Sequence, residues 1–550
     1  MKKIILGTNR FSKLIREDGY FVDKTLMIKD FLERKKQVTL ITRPRLFGKT
    51  INITMMSEFF DNTKDSKKLF KGTKIMDTSY ANEINQYPTL FFSFSNARLN
   101  KKTIISEIRS QIIKEWTKYD FVFTDLNNDE KIKYEACQHV LINWKDDDFI
   151  GITDVISFLI ERLEIYYGKK VMLFIDEYDT PFIEAYRENF YDEIEEGITH
   201  LFMSILNKSS SLKYAMLIGI QIFANESIFS KLDNVIVCDV TKKEYASYFG
   251  FDEKETKQLL EYYHLEFNEE VKEVYDGYCI GNIGIYNTWS ILNYVNNKEL
   301  RPFWIKTALN EMLKDFFNKS DDNFKKQYEQ LIENGYLETR VTLQTSFYEV
   351  ANTSNLWGLF VNAGYLTVDE IIDIADNYCR IRIPNNEVKT EFRSLTEYYL
   401  SLYEGQLNQL TRFLINEQFD EFSKRYQHIL MLPSYHDLNN ENSYHMMMLG
   451  MCLCLSDNYK IISNREEGKG RCDMIIQARD EKKTSFIIEF KYLKEEKKNI
   501  QEELDKLSNE AIQQIKDRKY DYDLKGKVIY IGLAHHGKDV MMKWEEKVYI

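Results

Sequence analysis

Residues 41–50 read ITRPRLFGKT and join the short apolar run Val38–Thr42 to a segment with helical spacing. Similar runs, nearly continuous and rich in β-branched or aromatic residues, recur as far as residue 240: Thr89–Phe94, Val171–Ile175, Tyr214–Ile220 and Val235–Val240. Strands buried on both faces of a parallel sheet have this appearance, and helical segments between them supply the crossovers. We therefore predict an N-terminal α/β domain around a parallel sheet.

The same stretch carries the residues that phosphate binding requires. Gly48, Lys49 and Thr50 match the second half of the Walker A consensus, GxxxxGK[ST]. In such loops backbone N–H groups surround the phosphates, the lysine reaches the terminal ones, and the hydroxyl binds Mg²⁺. Arg43 stands where the consensus has its first glycine, and Pro44 can impose a fixed turn of its own. The alternative is an ordinary strand–helix turn.

Residues 169–179, KKVMLFIDEYD, resemble a Walker B strand that ends at Asp176 and Glu177. An aspartate there holds the magnesium shell, and the next glutamate orients or deprotonates the attacking water. The alternative is a strand that leaves the core into a solvated acidic turn. Because both motifs end predicted parallel strands, we predict binding of ATP and Mg²⁺, with Thr50 and Asp176 on the metal and Glu177 as the catalytic base. The residues predicted to bind the nucleotide are Arg43, Pro44, Arg45, Phe47, Gly48, Lys49, Thr50 and Asp176.

A second pattern lies near the C-terminus. We predict a helix, three strands, a second helix and a fourth strand, at Asn442–Leu455, Tyr459–Ser463, Arg471–Gln477, Thr484–Lys491, Ile500–Arg518 and Lys527–Leu533. Asp473 lies on the second strand, and Glu489 and Lys491 lie on the third, two residues apart and therefore on one face.

Two carboxylates placed in this way can bind Mg²⁺, which activates water against a phosphodiester, and the lysine positions that water or stabilises developing charge. We predict Asp473, Glu489 and Lys491 as catalytic, with Asp473, Glu489 and Glu441 as metal ligands. The alternative is a charged strand edge. His535 and His536 are interpreted as a loop pair without a shared metal.

Composition limits the class of protein. The net charge of −12 argues against a general nucleic-acid coat protein but leaves room for a local basic groove. The seven cysteines are scattered without a CxxC pair, which favours reduced thiols in the cytoplasm. The N-terminus lacks the features of a signal peptide, and no apolar run is long enough for a transmembrane helix.

Taken together, these motifs resemble those of a bacterial family whose members fuse an AAA-ATPase-like domain to a C-terminal PD-(D/E)XK nuclease-superfamily domain. The matching stretches are FVDKT at Phe21–Thr25, RPRLFGKT at Arg43–Thr50, LFIDEYDTP at Leu173–Pro181, ESIFS at Glu226–Ser230, YDGY at Tyr275–Tyr278, YNTWS at Tyr286–Ser290, IPNNEV at Ile383–Val388, SNREEGKGRCD at Ser463–Asp473 and IEFK at Ile488–Lys491. The resemblance implies that an arginine at position 43 is compatible with nucleotide binding.

The resemblance also implies weak hydrolysis, or binding without turnover. Ile218 and Ile222 stand where the family tends to have Thr and Arg, at positions where sensing of the γ-phosphate would occur. The strand at Tyr214–Ile220 ends apolar, so Gln221 and Asn225 are the polar alternatives near its end.

We therefore predict an α/β protein with an AAA-ATPase-like P-loop domain at 1–241, a helical lid or connector at 242–376 and a restriction-endonuclease-like domain at 377–550. The predicted function is an ATP-binding, ATP-regulated, metal-dependent nuclease acting on DNA or RNA. One alternative is a nucleotide-dependent switch or scaffold with a vestigial nuclease fold. Another is an ATP-dependent remodeller whose C-terminal domain only binds nucleic acid. Assembly into a homo-oligomer is left open.

Overall fold

The computed structural model describes residues 1–549 except 35, 143–148, 208–209, 224–233, 304–312, 315, 317–319, 346–351, 401, 404, 432–440, 454, 456–457, 468–469 and 494–498. The stretch Glu226–Ser230 and Asn225 therefore lie outside the described residues. The chain divides into two compact units, unit 1 with Met1–Phe316 and Glu338–Pro384, and unit 2 with Phe317–Leu337 and Asn385–Ile550. The three-domain division at residues 241 and 376 stays a prediction.

The strands are numbered along the described chain. They are β1 Val38–Thr42, β2 Thr89–Ser93, β3 Val171–Asp176, β4 Leu212–Gly219, β5 Ile222–Phe223, β6 Val235–Cys238, β7 Tyr278–Ile280, β8 Ile283–Ile285, β9 Tyr336–Arg340, β10 Gln344–Thr345, β11 Thr367–Asp373, β12 Tyr378–Arg382, β13 Tyr459–Glu467, β14 Gly470–Ala478, β15 Ser485–Tyr492, β16 Gly526–His536 and β17 Asp539–Tyr549.

The α-helices are numbered in the same way. They are α1 Phe11–Arg16, α2 Leu26–Glu33, α3 Lys49–Phe60, α4 Lys67–Phe70, α5 Lys101–Lys118, α6 Asn128–Ile142, α7 Ile150–Tyr167, α8 Thr180–Arg187, α9 Glu195–Asn207, α10 Glu253–Tyr262, α11 Glu269–Tyr275, α12 Thr288–Asn297, α13 Asp322–Asn334, α14 Thr353–Ala363, α15 Asn386–Tyr399, α16 Gln406–Ile415, α17 Phe419–Leu430, α18 Glu441–Cys452 and α19 Ile500–Arg518. Short 3₁₀ helices lie at Lys74–Asp77, Ser79–Glu83, Asp120–Phe123, Tyr191–Glu193 and Ala246–Tyr248.

The main sheet of unit 1 has five parallel strands in the order β2-β3-β4-β1-β6. Each of the five apolar runs in the N-terminal sequence forms one of these strands, which confirms the predicted parallel α/β fold. Strands β1 and β3 are buried along their whole length and both pair with β4. Because the C-terminal ends of parallel strands meet at one edge, the loops after β1 and β3 lie close together.

The middle of the chain is largely helical, as predicted. Helices α10, α11 and α12 share a cluster of buried side chains that includes Leu259, Tyr275 and Ile291. Small sheets accompany these helices: a β7–β8 hairpin, a parallel β5–β10 pair, and a three-stranded sheet in the order β11-β12-β9. The middle therefore contains more strand than the sequence pattern suggests.

Unit 2 contains a second five-stranded sheet, in the order β13-β14-β15-β16-β17. The pairs are antiparallel except β15 with β16, which are parallel and connected through α19. Helix α19 packs on one sheet face, where Ile512 and Ile515 join Ile487 and Tyr530 in one buried cluster. The predicted order of helix, three strands, helix and strand is confirmed by α18, β13, β14, β15, α19 and β16.

Two features of this sheet differ from expectation. Strand β17 was not anticipated, because its outer half is largely exposed and lacks an apolar run; pairing with β16 along its whole length holds it in place. The predicted loop at His535 and His536 is wrong, since both residues end β16. His535 is buried and stacks on Tyr444, and its Nε2 is hydrogen-bonded to the Tyr426 hydroxyl. Burial lowers the pKa of His535 to about 3.

Candidate nucleotide and metal sites

The loop after β1 has the backbone shape that anion binding needs. Leu46 and Gly48 both adopt left-handed conformations, with φ of 69° and 78°. Gly48 is the N-cap of α3, a helix of 12 residues. Glycine takes this conformation without steric cost, and the first N–H groups of a helix have no partner within it. These donors form the start of an anion site at the edge of the sheet.

A cavity of about 390 Å³ adjoins this loop, a size typical of sites for small ligands. Three groups of residues line most of it: the loop and first turn of α3, an N-terminal segment, and the first turns of α12. These lining residues are Ile5, Leu6, Gly7, Thr8, Asn9, Arg45, Leu46, Phe47, Gly48, Lys49, Thr50, Ile51, Asn52, Thr288, Trp289 and Leu292, with Glu177 and Ile220 from the ends of β3 and β4. The cavity therefore has a polar end at the loop and apolar walls beyond it.

Lys49 lies at the polar end with its amine turned back onto the loop. Its Nζ donates to the carbonyl oxygens of Arg43 at 3.0 Å and Pro44 at 2.7 Å. Burial lowers the pKa of Lys49 to about 8, and the nearby carboxylates of Asp179 and Glu177 oppose that shift. The amine is thus held inside the loop by main-chain carbonyl oxygens.

Arg43 is placed differently from a nucleotide ligand. Its side chain is fully buried and lies outside the cavity lining, and its guanidinium donates to the carbonyl oxygens of Thr42, Cys238 and Glu244. These bonds tie the start of the loop to the end of β6 and the segment after it. The Arg43 side chain therefore holds the loop in place, and its contact with a nucleotide stays a prediction.

The other predicted loop residues separate into two groups. Arg45 and Phe47 line the cavity, whereas Pro44 is buried outside that lining and supplies only its carbonyl oxygen to Lys49. The ring of Phe47 also packs edge-to-face on Tyr278 at 4.9 Å. Burial lowers the pKa of Arg45, and Glu177 partly restores it.

Asp176 ends β3 with a carboxylate that the described residues leave partly unsatisfied. It is 1% exposed, and its Oδ1 has no hydrogen-bond partner among them. Burial raises the pKa of Asp176 to about 7, with a smaller rise from the Glu177 carboxylate, while a hydrogen bond from Thr50 and the charge of Lys49 oppose the rise. An orphaned carboxylate oxygen beside a hydroxyl and an amine fits a Mg²⁺–nucleotide ligand.

Glu177 lines the cavity and has a left-handed backbone, with φ of 50°, which is uncommon for a residue with a side chain. Its carboxylate accepts a hydrogen bond from the Thr180 hydroxyl at 3.0 Å and lies 3.7 Å from the Arg98 guanidinium. The turn thus directs the carboxylate toward the cavity edge, where Arg98 partly neutralises it.

Asp179 is the functional residue of this region that sequence reasoning left without a role. It is buried, and its Oδ2 accepts hydrogen bonds from the main-chain N–H groups of Ile220 and Gln221 at 2.7 and 2.9 Å. The second aspartate of DEYD therefore fixes the turn after β4. Gln221 does not line the cavity; its side chain accepts from Asn362 at 2.9 Å. Ile218 and Ile222 are buried and do not line the cavity. Ile220, directly after β4, does line it.

In unit 2, the strands β14 and β15 bring Asp473, Glu489 and Lys491 together. Asp473 Oδ2 accepts from the Phe490 main-chain N–H at 2.7 Å, and the Asp473 N–H lies 3.5 Å from Glu489 Oε2. Glu489 is 3% exposed, and its Oε1 lies 3.8 Å from Lys491 Nζ. The predicted cluster of two carboxylates and an amine is therefore present.

Gln514 of α19 connects the last two groups. Its Nε2 donates to Glu489 Oε1, and its Oε1 accepts from Lys491 Nζ at 2.5 Å. The Tyr520 hydroxyl lies 3.4 Å from Gln514 Nε2. The side chain of Gln514 is thus engaged with both charged groups.

A third acidic ligand is not found within the described part of the chain. Glu441 begins α18, but its side chain lies outside the described residues. In that part of the chain, no group of three or more His, Cys, Asp or Glu side chains has the geometry of a metal site. Asp473 and Glu489 alone offer two carboxylates on adjacent strands, which fits Mg²⁺ because this ion usually keeps several waters.

Comparison with known proteins identifies the domains in which the two candidate sites lie. Residues 5–229 match the family model described as a predicted AAA-ATPase, and residues 439–545 match that of the PD-(D/E)XK nuclease superfamily. The chain is similar to an uncharacterized protein in the vnfD 5′ region of Azotobacter chroococcum mcd 1, with 27% identity over 408 residues, 73% of this chain and 70% of the relative. None of the described helices is both long and apolar enough to span a bilayer. The chain thus combines an AAA-ATPase-like domain with a C-terminal domain of the PD-(D/E)XK nuclease superfamily.

Proposed function

We propose that this protein is an ATP-binding, metal-dependent nuclease whose cleavage of phosphodiester bonds responds to the nucleotide held in unit 1. The observation that carries the proposal is the convergence of Asp473, Glu489 and Lys491 beside Gln514. A charged strand edge without function would not need a buried glutamate that is hydrogen-bonded to a helix on the same face.

In this proposal each residue of unit 2 has a separate task. Asp473 and Glu489 hold Mg²⁺, with Glu441 as a further candidate ligand. When bound, Mg²⁺ supplies positive charge that polarises a phosphodiester and lowers the pKa of a coordinated water. Lys491 positions that water or stabilises the charge on the phosphate in the transition state. Gln514 keeps the lysine and Glu489 in register through its amide group.

The nucleotide site divides its tasks in a similar way. Lys49 and the backbone of the loop hold the phosphates of ATP, Thr50 and Asp176 hold Mg²⁺, and Arg45 is placed to meet phosphate oxygens. Glu177 is the candidate base for water. Hydrolysis is expected to be slow, because Ile220 brings an apolar side chain where a polar residue would sense the γ-phosphate.

Regulation is supported by contacts between the nucleotide loop and the middle of the chain. The Thr288 hydroxyl at the start of α12 donates to the Leu46 carbonyl at 2.5 Å. On the other side, Gln221 accepts from Asn362, which also donates to the Leu343 carbonyl at 2.9 Å. A ligand that moves the loop would therefore also move α12. A change in the backbone after β4 would likewise shift Gln221 and its hydrogen bond to α14.

The test is a cleavage panel with purified full-length protein and Mg²⁺. Single- and double-stranded DNA and RNA are incubated with and without ATP, and wild type is compared with Glu489→Ala. We expect wild type to cut at least one polymer at a rate that changes with ATP, and Glu489→Ala to cut none. Equal cutting by both proteins would show that the activity belongs elsewhere.

A second function, a nucleotide-dependent switch or scaffold without cleavage, is favoured by the apolar end of β4 and by the pairing of Glu177 with Arg98. It predicts ATP binding, negligible phosphate release and no cleavage of any polymer. The remodeller alternative instead predicts steady ATP hydrolysis, with nucleic-acid binding that survives Asp473→Ala.

A cytoplasmic location belongs to the same proposal. The six described cysteines form no disulfide, which suits a reducing compartment. Assembly of several copies stays open, and analytical ultracentrifugation with and without ATP would determine it.

A further inference from the structure

Helices α16 and α17 of unit 2 form a groove with a concentration of positive charge. Seven residues line it: Gln409, Arg412, Phe413, Glu421, Lys424, Arg425 and His428. They are spaced three or four residues apart on each helix, so each set occupies one helical face. The opposite faces are buried, as shown by Leu407, Leu410 and Leu414 on α16 and by Phe422, Tyr426 and Ile429 on α17.

The charge of this groove is largely uncompensated. Lys424 pairs with Glu421 at 3.1 Å, which leaves Arg412 and Arg425 as a surplus. Neither arginine has an ion-pair partner in the part of the chain that the structure describes. The Nε of Arg425 is moreover buried without a hydrogen-bond partner there. A buried N–H donor without an acceptor is costly, so a ligand with oxygen acceptors and negative charge would suit this groove.

The groove is a separate surface from the candidate metal site. Helix α17 is on the sheet face where Tyr426 reaches His535, whereas Glu489 and Lys491 meet Gln514 of α19 on the other face. A ligand in the groove would therefore be held away from Asp473 and Glu489. This position suits a contact that retains a long polymer rather than one that reacts with a single bond.

We infer that the α16–α17 groove binds the phosphodiester backbone of nucleic acid as a second contact for the substrate of the nuclease site. Planar guanidinium groups on facing helices match phosphate oxygens, and such contacts carry no sequence preference. Because the net charge is −12, binding of a polyanion depends on local positive patches, and this groove supplies one. The inference rests on the proposed function for the class of ligand.

Binding without cleavage tests the groove. Fluorescein-labelled 30-mer DNA and RNA, single- and double-stranded, are titrated with full-length protein in EDTA at several salt concentrations, with fluorescence anisotropy as the readout. The double variant R412A/R425A should bind roughly tenfold or more weakly, and its slope of log K against log salt should fall by about 2, one for each lost phosphate contact. R412K/R425K keeps the charges and should restore most of the slope.

A matched control changes two exposed lysines elsewhere in unit 2. K482E/K506E alters the net charge by more than R412A/R425A does. Equal losses of nucleic-acid affinity in both variants would therefore mean a general charge effect and would contradict the proposed role of the groove. Absence of binding by wild type, or an unchanged salt slope in R412A/R425A, would overturn it as well. So would selective displacement of the probe by polyglutamate at a concentration where equally charged heparin has no effect, because the groove would then prefer acidic protein.

Failure of this inference can be distinguished from failure of the proposed function. If the protein binds nucleic acid through the groove but cuts no polymer, the nuclease proposal fails and the groove proposal stands. If wild type cuts and R412A/R425A binds as tightly as wild type, only the groove proposal fails. Circular dichroism of every variant checks that the helices remain folded.

Discussion

The carboxylates at the end of β3 and those around the end of β15 lie in different surroundings. Asp176 is buried with one oxygen unpartnered among the described residues. Asp473 and Glu489 instead already accept hydrogen bonds, from the Phe490 N–H and from Gln514. The first site has a buried carboxylate oxygen without a described partner, whereas the carboxylates of the second site are already held by neutral donors.

The lysines of the two sites also differ in burial and in hydrogen-bond partners. Lys49 is buried and donates to carbonyl oxygens of its own loop, so it must change partners to bind phosphate. Lys491 is partly exposed, and Gln514 holds it near Glu489. Under the proposed function, the nucleotide site would rearrange on binding, whereas the C-terminal site would keep the fixed geometry that transition-state stabilisation favours.

The largest expected effect tests whether cleavage at the C-terminal site can be lost while nucleotide binding in unit 1 stays intact. Lys491→Ala should reduce phosphodiester cleavage by roughly 10²–10³-fold, because the amine beside Glu489 is lost. ATP affinity, measured by titration with a fluorescent analogue, should stay unchanged. The control is Lys482→Ala in the exposed turn between β14 and β15. A fall in ATP affinity in Lys491→Ala would show that the two sites are not separate.

The next effect concerns Arg43. Its substitution distinguishes a residue that supports the loop from one that contacts the nucleotide. Arg43→Gly restores the Walker A consensus but removes the buried guanidinium that three carbonyl oxygens hold. We expect a loss of about 3 kcal/mol in the free energy of unfolding and no gain in ATP affinity. Urea unfolding measures the first quantity. Arg45→Gly, at a partly buried position on the cavity wall, should cost less stability but weaken ATP binding. The reverse pattern would contradict the geometry.

The contrast between these arginines shows what a sequence can and cannot reveal. The parallel sheet was predictable because β1 and β3 are continuous apolar runs, which only a doubly covered sheet requires. The two clusters of side chains were predictable because their residues lie on or directly after neighbouring strands, whereas their roles stay predictions. The direction of the Arg43 side chain was not predictable, because a position in a motif does not tell whether a long side chain points into the cavity or back into the core.

Other features depended on long-range contacts that leave no local pattern. Strand β17 exists because β16 offers it a partner, and its outer half reads as a charged loop. His535 looked like a loop residue, yet Tyr444 and Tyr426 bury it from sequence positions about 90–110 residues away. Asp179 could have been noticed as the second aspartate of DEYD, but its two N–H partners lie after a different strand.

A third effect addresses the rearrangement of the nucleotide site. Lys49→Ala should weaken ATP binding by roughly 10- to 100-fold, since a charge-assisted contact to phosphate is lost. Without ATP the variant should be nearly as stable as wild type, because the amine contacts only loop carbonyls. Thermal unfolding with increasing ATP measures both quantities, as bound ligand raises the midpoint. Lys68→Ala, exposed on α4, is the matched control. Strong destabilisation without ATP would mean that Lys49 supports the fold.

The smallest effect, a dependence of Mg²⁺–ATP binding on pH, sharpens the comparison most. The pKa of Asp176 is raised to about 7 and that of Lys49 is lowered to about 8. Asp176 must lose its proton to bind the metal, so affinity should rise roughly fivefold between about pH 6 and 7.5. Lys49 must keep its proton to bind phosphate, so affinity should fall again at higher pH.

We therefore expect the Mg²⁺–ATP affinity of the nucleotide site to reach its maximum at a pH between the pKa values of Asp176 and Lys49. Isothermal titration calorimetry across pH measures it, and Asp176→Asn, which should bind weakly without the rising limb, accounts for titration of ATP itself. Glu177→Gln should keep the maximum but move the rising limb to lower pH, because the Glu177 charge is one cause of the raised pKa of Asp176. If affinity is flat between about pH 6 and 7.5 in wild type, Asp176 is already ionised before the ligand arrives. The contrast between an unsatisfied and a pre-ordered carboxylate site would then not hold.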